Sequence, residues 1–129
     1  MIVSIGIDII EIRRVSEALK RTPRLRERVF TEQERAYCDS RGAAAAQHYA
    51  ARFAAKEAAF KALRTGWRDG LSWHHVEVTS DEAGAPALQL AGHARSLFDA
   101  MGATHAHLSL SHASEHAVAQ VIFERQDGG

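Results

Sequence analysis

The first 14 residues, MIVSIGIDIIEIRR (residues 1–14), predict a β-strand with a carboxylate inside an apolar run. Seven of the first ten residues are Met, Ile or Val, and β-branched residues favour strands. Side chains alternate along a strand, so the strand predicted over residues 2–10 has two different faces. One face carries Val3, Ile5, Ile7 and Ile9, and the other carries the small residues Ser4 and Gly6 together with Asp8. Burying an unpaired charge costs several kcal/mol, so we expect Asp8 to meet a partner across the small-residue face.

Size and composition favour one globular domain over residues 1–129, with a flexible tail at residues 124–129. Hydrophobic residues make up 46% of the chain and charged residues 25%, as is ordinary for a globular protein. No apolar stretch approaches the roughly 20 residues that span a bilayer, and the start does not have the order of a signal peptide. The single cysteine, Cys38, excludes an intrachain disulfide and fits a reducing compartment. We therefore expect a cytoplasmic protein with no membrane partner.

Basic residues are concentrated between Ile12 and Val29, although the formal net charge of the chain is zero. The bases there are Arg13, Arg14, Lys20, Arg21, Arg24, Arg26 and Arg28, against Glu17 and Glu27. This excess could steer an acidic partner, or it could be an ordinary solvated helix face. A nucleic-acid partner is not expected, because the chain as a whole is not basic and the segment has no interleaved aromatic residues.

The remaining patterns predict an α+β fold, with a small, mostly antiparallel sheet packed with a long central helix and shorter helices. A helix from residue 11 or 12 to Arg21 ends at Thr22-Pro23, and Thr31 with Glu34 has the form of a capping box. The other expected elements are a long helix at 48–64, short strands near 71–79 and 88–90, a helix at 91–101, and strands at 104–111 and 117–123.

The long helix, which includes YAARFAAKEAAFKALR at residues 49–64, does not separate its charged residues from its apolar ones. With side chains placed about 100° apart, its charges are spread around the helix among alanines. We therefore expect a helix that is buried over much of its circumference and carries Arg52, Lys56, Glu57 and Lys61 into that environment. Glu57 and Lys61 are spaced for an i,i+4 ion pair, which by itself is typical of an exposed helix surface.

Three polar features could together form one site. Asp8 and Glu57 offer two carboxylates, which can hold Mg²⁺ while waters and substrate phosphates supply its other ligands. Lys61 would balance phosphate charge. The strand at 104–111 adds a polar face made of His105, His107, Ser109 and Ser111. A metal–phosphate site is therefore one hypothesis, and ordinary surface pairs are the alternative. The eight histidines also allow a zinc site, but no cysteine pair or HExxH helix accompanies them.

Five motifs follow one another along the chain. They are Gly6-Ile7-Asp8-Ile9-Ile10-Glu11-Ile12-x-Arg14, Phe30-Thr31-x-x-Glu34, Arg52-Phe53-Ala54-Ala55-Lys56-Glu57-Ala58-Ala59-x-Lys61-Ala62-Leu63, Gly84-x-Pro86-x-Leu88 and His107-Leu108-Ser109-Leu110-Ser111-His112. In this order they resemble the small bacterial holo-acyl-carrier-protein synthases, which are single-domain 4'-phosphopantetheinyl transferases. The resemblance runs from about residue 2 to residue 123 and implies the fold of that family.

The resemblance implies an enzyme that uses Mg²⁺ to transfer 4'-phosphopantetheine from coenzyme A to a serine of apo acyl carrier protein in fatty acid biosynthesis, releasing adenosine 3',5'-bisphosphate. The implied metal ligands are Asp8 and Glu57, and the implied catalytic residues are Asp8, Glu57, Lys61 and His107. The residues implied to bind coenzyme A are Arg52, Glu57, Lys61, Gly66, Gly84, Pro86, His107, Ser109, Ser111 and His112. We add the hypothesis that Glu57, directly or through a water, accepts the serine proton.

The resemblance also implies an acidic carrier protein as partner and a homotrimer with active sites between subunits. The implied docking residues are Arg14, Arg21, Arg24 and Arg28, and Arg13 is a further candidate. Two positions depart from the family pattern. Ala43–Ala46 stand where a basic pair suited to the 3'-phosphate is common, which leaves Arg41 or His48 to compensate. Arg64 replaces a glycine and could contact a phosphate or cap the helix. The alternative function is a non-catalytic module that binds coenzyme A or a carrier protein.

Overall fold

The computed structural model describes residues 1–64 and 70–127, and within them the chain forms two antiparallel sheets around one long helix. The strands are β1 (Ile2–Glu11), β2 (Val76–Ser80), β3 (Pro86–Leu90), β4 (His105–His112) and β5 (His116–Glu124). The helices are α1 (Ile12–Arg21), α2 (Leu25–Val29), α3 (Glu32–Asp39), α4 (Ala45–Ala62) and α5 (Gly92–Ala100). Single 3₁₀ turns occupy Gly42–Ala44 and Trp73–His75.

The sheet arrangement confirms the predicted α+β class. β5 lies between β1 and β4 in a three-stranded antiparallel sheet, and β2 and β3 form a separate hairpin. The capping box is also confirmed, because Thr31 and Glu34 exchange the two expected hydrogen bonds at the start of α3. The strand predicted from residue 71 begins only at Val76, because Ser72 caps a 3₁₀ turn before it. Helix α2 was not predicted, since five residues are too short to show a helical period.

The small-residue face of β1 packs directly on α4. A side chain on Gly6 would bring its Cβ to within 1.9 Å of the Ala58 carbonyl oxygen, so this crossing requires glycine. One turn away, the Ser4 hydroxyl donates to the Ala62 carbonyl at 2.6 Å. The helix contributes alanine at the contact, which lets the two backbones approach closely. The prediction that another group approaches this face of the strand is confirmed.

The isoleucine face of β1 does not enter the core of the single chain. Ile5, Ile7 and Ile9 are 54%, 57% and 64% exposed in the single chain. In the adjacent strand β5 they pair with Ile122, Gln120 and Val118, so this isoleucine face extends from β1 onto β5. Alternation gives β1 two faces, but the partner helix decides which is buried, and the alanines of α4 fit only the side with Gly6. The single chain therefore has one apolar sheet face open to solvent.

A buried ion pair ties α4 to α3 and β2. The Lys56 ammonium lies 2.8 Å from the Glu34 carboxylate, and both side chains are fully buried. Lys56 also donates to the carbonyls of Trp73 and Val76. Glu34 accepts from the backbone amides of Thr31 and Val78, each at 2.8 Å. The Lys56 ammonium thus has three partners, and each oxygen of the Glu34 carboxylate has at least one. A buried ion pair is tolerated when its polar groups are hydrogen-bonded in this way.

The residues that follow α4 and β5 make contacts that the sequence did not predict. Arg64, just past α4, has φ 61°, the left-handed conformation in which glycine is preferred, and its side chain donates to the Val3 carbonyl at 3.2 Å. Its guanidinium therefore contacts β1. At the other terminus β5 runs through Glu124, and Arg125 exchanges backbone hydrogen bonds with Met1. Ordered backbone bonding thus extends into the segment predicted as a flexible tail.

Candidate active site

The carboxylate of Asp8 meets a lysine from α4. The Lys61 ammonium lies 3.0 Å from Asp8 Oδ1 and donates to the carbonyl of Ile7 at 2.9 Å. The Asp8 side chain is only 17% exposed, whereas that of Lys61 is 54% exposed. The expected i,i+4 pair between Glu57 and Lys61 is not among the ion pairs of residues 1–64 and 70–127; the ammonium turns to β1 instead. Lys61 thus joins the helix to the strand at the carboxylate.

Glu57 lies beside this pair on α4 and has no ion-pair partner within the described part of the chain. Partial burial raises the pKa of Glu57, the negative charge of Asp8 raises it further, and Lys61 opposes both. The two carboxylates therefore form a like-charge pair with one neighbouring cation. Such a pair is relieved when a divalent cation binds between its members, so these residues fit Mg²⁺.

The carboxylates open into a cavity of about 410 Å³ at the junction of β1, α1 and α4. Its walls are formed by Asp8, Ile9, Ile10, Glu11, Arg14, Phe53, Glu57 and His116. Within the described residues no group of three or more His, Cys, Asp or Glu side chains is placed to hold a metal. Two carboxylates with free space in front of them suit a cation that keeps waters and takes substrate oxygens as its other ligands.

An apolar groove of about 340 Å³ adjoins this cavity, and the two share Ile10, Arg14 and Phe53. The groove runs between α1 and α2, and exposed arginines border it. These are Arg14, Arg21 and Arg28, above a floor that includes Val15, Leu19, Val29, Phe30 and Trp73. Arg24 is exposed at the start of α2. Arg13 does not line the groove and pairs with Glu17 at 2.8 Å.

The strand β4 does not bring its polar face to Asp8 within one chain. His107, Ser109 and Ser111 pair with Ile122, Gln120 and Val118, and so lie on the open isoleucine face of the sheet. Asp8 pairs with Ala119, whose side chain points to the opposite face. The His107 ring lies 2.9 Å from the Glu124 carboxylate, and this hydrogen bond lowers the pKa of Glu124.

Arg52 and His112 lie on the α4 side of the sheet. Arg52 is buried, and its guanidinium carbon stacks 4.0 Å from the centre of the Tyr37 ring. His112, at the end of β4, pairs with Ala117, which is buried. Gly84 lies in the β2–β3 turn, where its amide donates to the Asp81 carbonyl at 2.9 Å, and Pro86 is the first residue of β3. Gly66 lies outside the described residues.

Phe53 and Tyr37 were not predicted as site residues. Phe53 borders both the carboxylate cavity and the groove. It precedes Glu57 by four residues, about one helical turn, and this spacing could have identified it as a neighbour of Glu57 from the sequence. Tyr37 packs against Arg52, a contact between two helices that no spacing within one helix reveals.

In the part of the chain that the structure describes, no helix is long and apolar enough to cross a bilayer.

Comparison with known proteins agrees with this geometry. Residues 4–121 match the family model described as the 4'-phosphopantetheinyl transferase superfamily. A holo-[acyl-carrier-protein] synthase of Geobacter metallireducens is 50% identical over 126 residues, covering 97% of this chain and 99% of the relative. One from Trichlorobacter lovleyi is 51% identical over 125 residues, covering 96% and 98%. The solved Bacillus anthracis holo-(acyl-carrier-protein) synthase in complex with CoA (3',5'-ADP) is 39% identical, with TM-score 0.80 and coverage of 98% and 99%.

Proposed function

Because the chain belongs to the 4'-phosphopantetheinyl transferase superfamily, we propose that it acts as a holo-[acyl-carrier-protein] synthase. It transfers the 4'-phosphopantetheine group from coenzyme A to a serine of apo acyl carrier protein and releases adenosine 3',5'-bisphosphate. The observation that carries this proposal is the half-buried pair of carboxylates, Asp8 and Glu57, with Lys61 bound to Asp8 in front of an open cavity. We place the reaction in the cytoplasm and in fatty acid biosynthesis.

Asp8 and Glu57 would hold Mg²⁺. When bound, the ion neutralises charge on the pyrophosphate of coenzyme A. The fit is supported by the raised pKa of Glu57, which comes first from its partial burial and then from the negative charge of Asp8; a cation between the carboxylates would offset both. Lys61 keeps Asp8 oriented toward the cavity and contributes a second positive charge at its edge. Removing Mg²⁺ with EDTA should abolish turnover, and adding Mg²⁺ should restore it.

Glu57 would accept the proton of the carrier serine. As the serine oxygen bonds to the phosphorus that carries pantetheine, the bond from that phosphorus to the bridging oxygen of the pyrophosphate breaks. The bridging oxygen leaves with adenosine 3',5'-bisphosphate, and the serine proton passes to Glu57 or to a water that Glu57 holds. If Glu57→Gln bound Mg²⁺ and kept near-normal turnover, this role would be rejected.

The arginines along the groove are proposed to dock the acidic carrier protein. Arg14 is the central candidate, because it borders both the groove and the carboxylate cavity. Arg14→Glu should raise the carrier protein's KM steeply and leave coenzyme A binding unchanged. Arg13→Glu is the matched control, since Arg13 faces Glu17 instead of the groove. Equal effects of the two substitutions would reject the docking role.

The open sheet face supports a homotrimer with active sites between subunits. Covering Ile5, Ile7 and Ile9 in a neighbouring copy would bury the largest exposed apolar patch of β1. It would also carry His107, Ser109 and Ser111 of one subunit toward the site of the next, where they could bind coenzyme A. Light scattering should give three times the 14.2 kDa chain mass, and Ile7→Lys should reduce it toward one. A wild-type monomer at micromolar concentration would reject the assembly.

Intact-mass analysis of an apo acyl carrier protein, incubated with this chain, coenzyme A and Mg²⁺, tests the activity. We expect an added mass of about 340 Da, the phosphopantetheine group released at the metal-assisted site. Asp8→Ala and Glu57→Ala should abolish the product. Asp99→Ala, which removes an exposed helix carboxylate paired with Arg95, should not. Coenzyme A binding without added mass on any carrier would favour the non-catalytic binding module.

A further inference from the structure

Arg26, on α2, belongs to a hydrogen-bond network that the catalytic proposal does not use. Its guanidinium donates to the Tyr49 hydroxyl from Nε at 3.2 Å and from Nη2 at 3.0 Å, and Nη2 also donates to the Asp39 carboxylate. The Tyr49 hydroxyl donates to the other oxygen of Asp39 at 2.7 Å. Each of the three groups thus contacts the other two, and together they join α2, α3 and α4. We call these three residues the Tyr49 network.

Tyr49 is the buried member of the network. It is 3% exposed, and its ring packs edge-on against Phe30 with centroids 4.9 Å apart. The pKa of Tyr49 is raised to about 12, first by burial and then by its hydrogen bond to Asp39, while Arg26 opposes the rise. The hydroxyl therefore stays protonated at neutral pH, so it can donate to Asp39 and accept from Arg26 at the same time.

Helix α2 depends on such contacts because it is short. It has five residues, and isolated helices of fewer than about 12 residues are marginal in water. The side chains of Arg26 and Asp39 are 38% and 51% exposed, so their ion pair is partly open to water and by itself stabilises little. The buried Tyr49 hydroxyl is the contact that fixes Arg26 in place. At the next residue of α2, the His74 ring bonds to the Glu27 carbonyl at 2.8 Å.

Helix α2 also forms one wall of the apolar groove. Leu25, Arg28 and Val29 line the groove from α2, and two arginines of α1 border it from the other side. Positions 25, 28 and 29 share one face of a helix, whereas position 26 lies on a different face. Arg26 accordingly does not line the groove. By fixing the orientation of α2, the Tyr49 network determines how far Arg28 lies from the arginines of α1.

We propose that the Tyr49 network positions α2 for docking of the acidic carrier protein, so that Tyr49 and Asp39 are positioning residues that act through the arginines of the groove. The inference rests on the proposed function, which docks the carrier protein along this groove. Attraction between charges depends on their separation, so a displaced wall would match the carrier less well. The charge of Arg26 is matched within the chain, and Arg26 holds the docking helix instead of contacting the carrier.

Steady-state kinetics of Tyr49→Phe, with the carrier protein and coenzyme A varied in turn, test this role. The variant keeps the buried ring and removes only the hydroxyl. We expect the KM for the carrier protein to rise about 5-fold, the factor for one lost hydrogen bond, with kcat and the KM for coenzyme A unchanged. A loss of stability alone would lower the amount of active enzyme and therefore the apparent kcat, and it would leave both KM values unchanged.

Asp39→Asn gives a test in which charge and positioning predict opposite results. Removing a negative charge beside the docking surface would by electrostatics alone lower the KM for an acidic carrier. We expect that KM to rise instead, by about 3-fold, because an amide offers one acceptor oxygen in place of the two that Tyr49 and Arg26 use. Asp99→Asn is the matched control, since it removes a charge from an exposed helix pair with Arg95 and should change neither KM.

The outcomes separate the positioning role from the proposed function. A carrier KM that was unchanged in Tyr49→Phe, or lowered in Asp39→Asn, would overturn the positioning role, and so would an equal rise in the KM for coenzyme A. If Arg14→Glu raised the carrier KM in the same assay, the docking groove would stand without the network. Failure of the wild-type chain to modify any carrier protein would reject the proposed function and the positioning role with it.

Discussion

The buried pair of Lys56 and Glu34 allows the sharpest test of what holds the site in place. Lys56→Met removes the cation and leaves the Glu34 carboxylate buried with only its two backbone donors. Loss of one member of a buried pair costs about 3–5 kcal/mol, and because those donors remain we expect about 3 kcal/mol. For a chain of 129 residues this corresponds to a melting temperature lowered by about 10 °C.

A double-mutant cycle separates the pair from the loss of either side chain alone. Lys56→Met, Glu34→Gln and the double variant would be unfolded in urea and followed by circular dichroism, at one protein concentration because assembly shifts apparent stability. We expect the double variant to cost at least about 1.5 kcal/mol less than the sum of the single variants, since it leaves no unmatched charge. Arg95→Met, which breaks an exposed pair, should cost under about 0.5 kcal/mol.

Two results would refute this reasoning. If Lys56→Met cost less than about 1 kcal/mol, the carboxylate left behind would have to be solvated or protonated at no cost, contrary to its burial. If the two single costs simply added within about 0.5 kcal/mol, the residues would act independently despite a separation of 2.8 Å.

Three further predictions concern the contact between α4 and β1. Gly6→Ala should lower stability by about 3 kcal/mol or more and reduce soluble yield, because its Cβ would lie 1.9 Å from a backbone oxygen of Ala58 that cannot move aside; a melting temperature near that of the wild type would contradict this packing. In EDTA, Glu57→Gln should be more stable than the wild type at neutral pH, with the difference vanishing toward about pH 4. The variant should be the more stable one because the fold raises the pKa of Glu57, so the wild-type chain loses stability as the pH rises above the ordinary value of 4.5. Thermal melts of both proteins at the two pH values measure this difference. A Glu57→Gln variant that was less stable than the wild type at neutral pH would contradict the prediction. Arg64→Gly should be more stable than Arg64→Ala by about 1 kcal/mol, since both lose the bond to Val3 but only glycine relieves the positive φ; equal melting temperatures would contradict the strain.

Local patterns in the sequence were sufficient to predict most of the helices and strands. The β-branched run of β1 and the capping box at Thr31 act within a few residues, and both appear where predicted. Burial of Lys56 could also be anticipated, because the charges of α4 have no common face. The identity of its partner could not, since Glu34 lies 22 residues away on another helix and nothing local couples the two.

The proximity of Asp8 and Glu57 was predictable from the sequence, but the geometry around them was not. Asp8 and Glu57 come together as expected, because Gly6 and the alanines of α4 let the strand and helix approach. Helical spacing favoured a bond from Lys61 to Glu57, yet the flexible lysine reaches across to Asp8. Which face of β1 is buried depended on its partner helix, so the position of His107 relative to Asp8 could not be read from alternation alone.

The charges of α4 differ in how they are matched, and this difference separates structure from function. Lys56 is buried and meets a carboxylate and two carbonyls, so its charge is fully compensated inside the chain. Glu57 and Arg52 have no counter-ion among residues 1–64 and 70–127, although one is half-buried and the other buried. They are of opposite sign and about 7.5 Å apart along the axis. Leaving such charges unmatched costs the fold stability, whereas bound ligands of opposite charge would match both. The matched charge of α4 therefore stabilises the core, and its unmatched charges are left for the ligands of the proposed function.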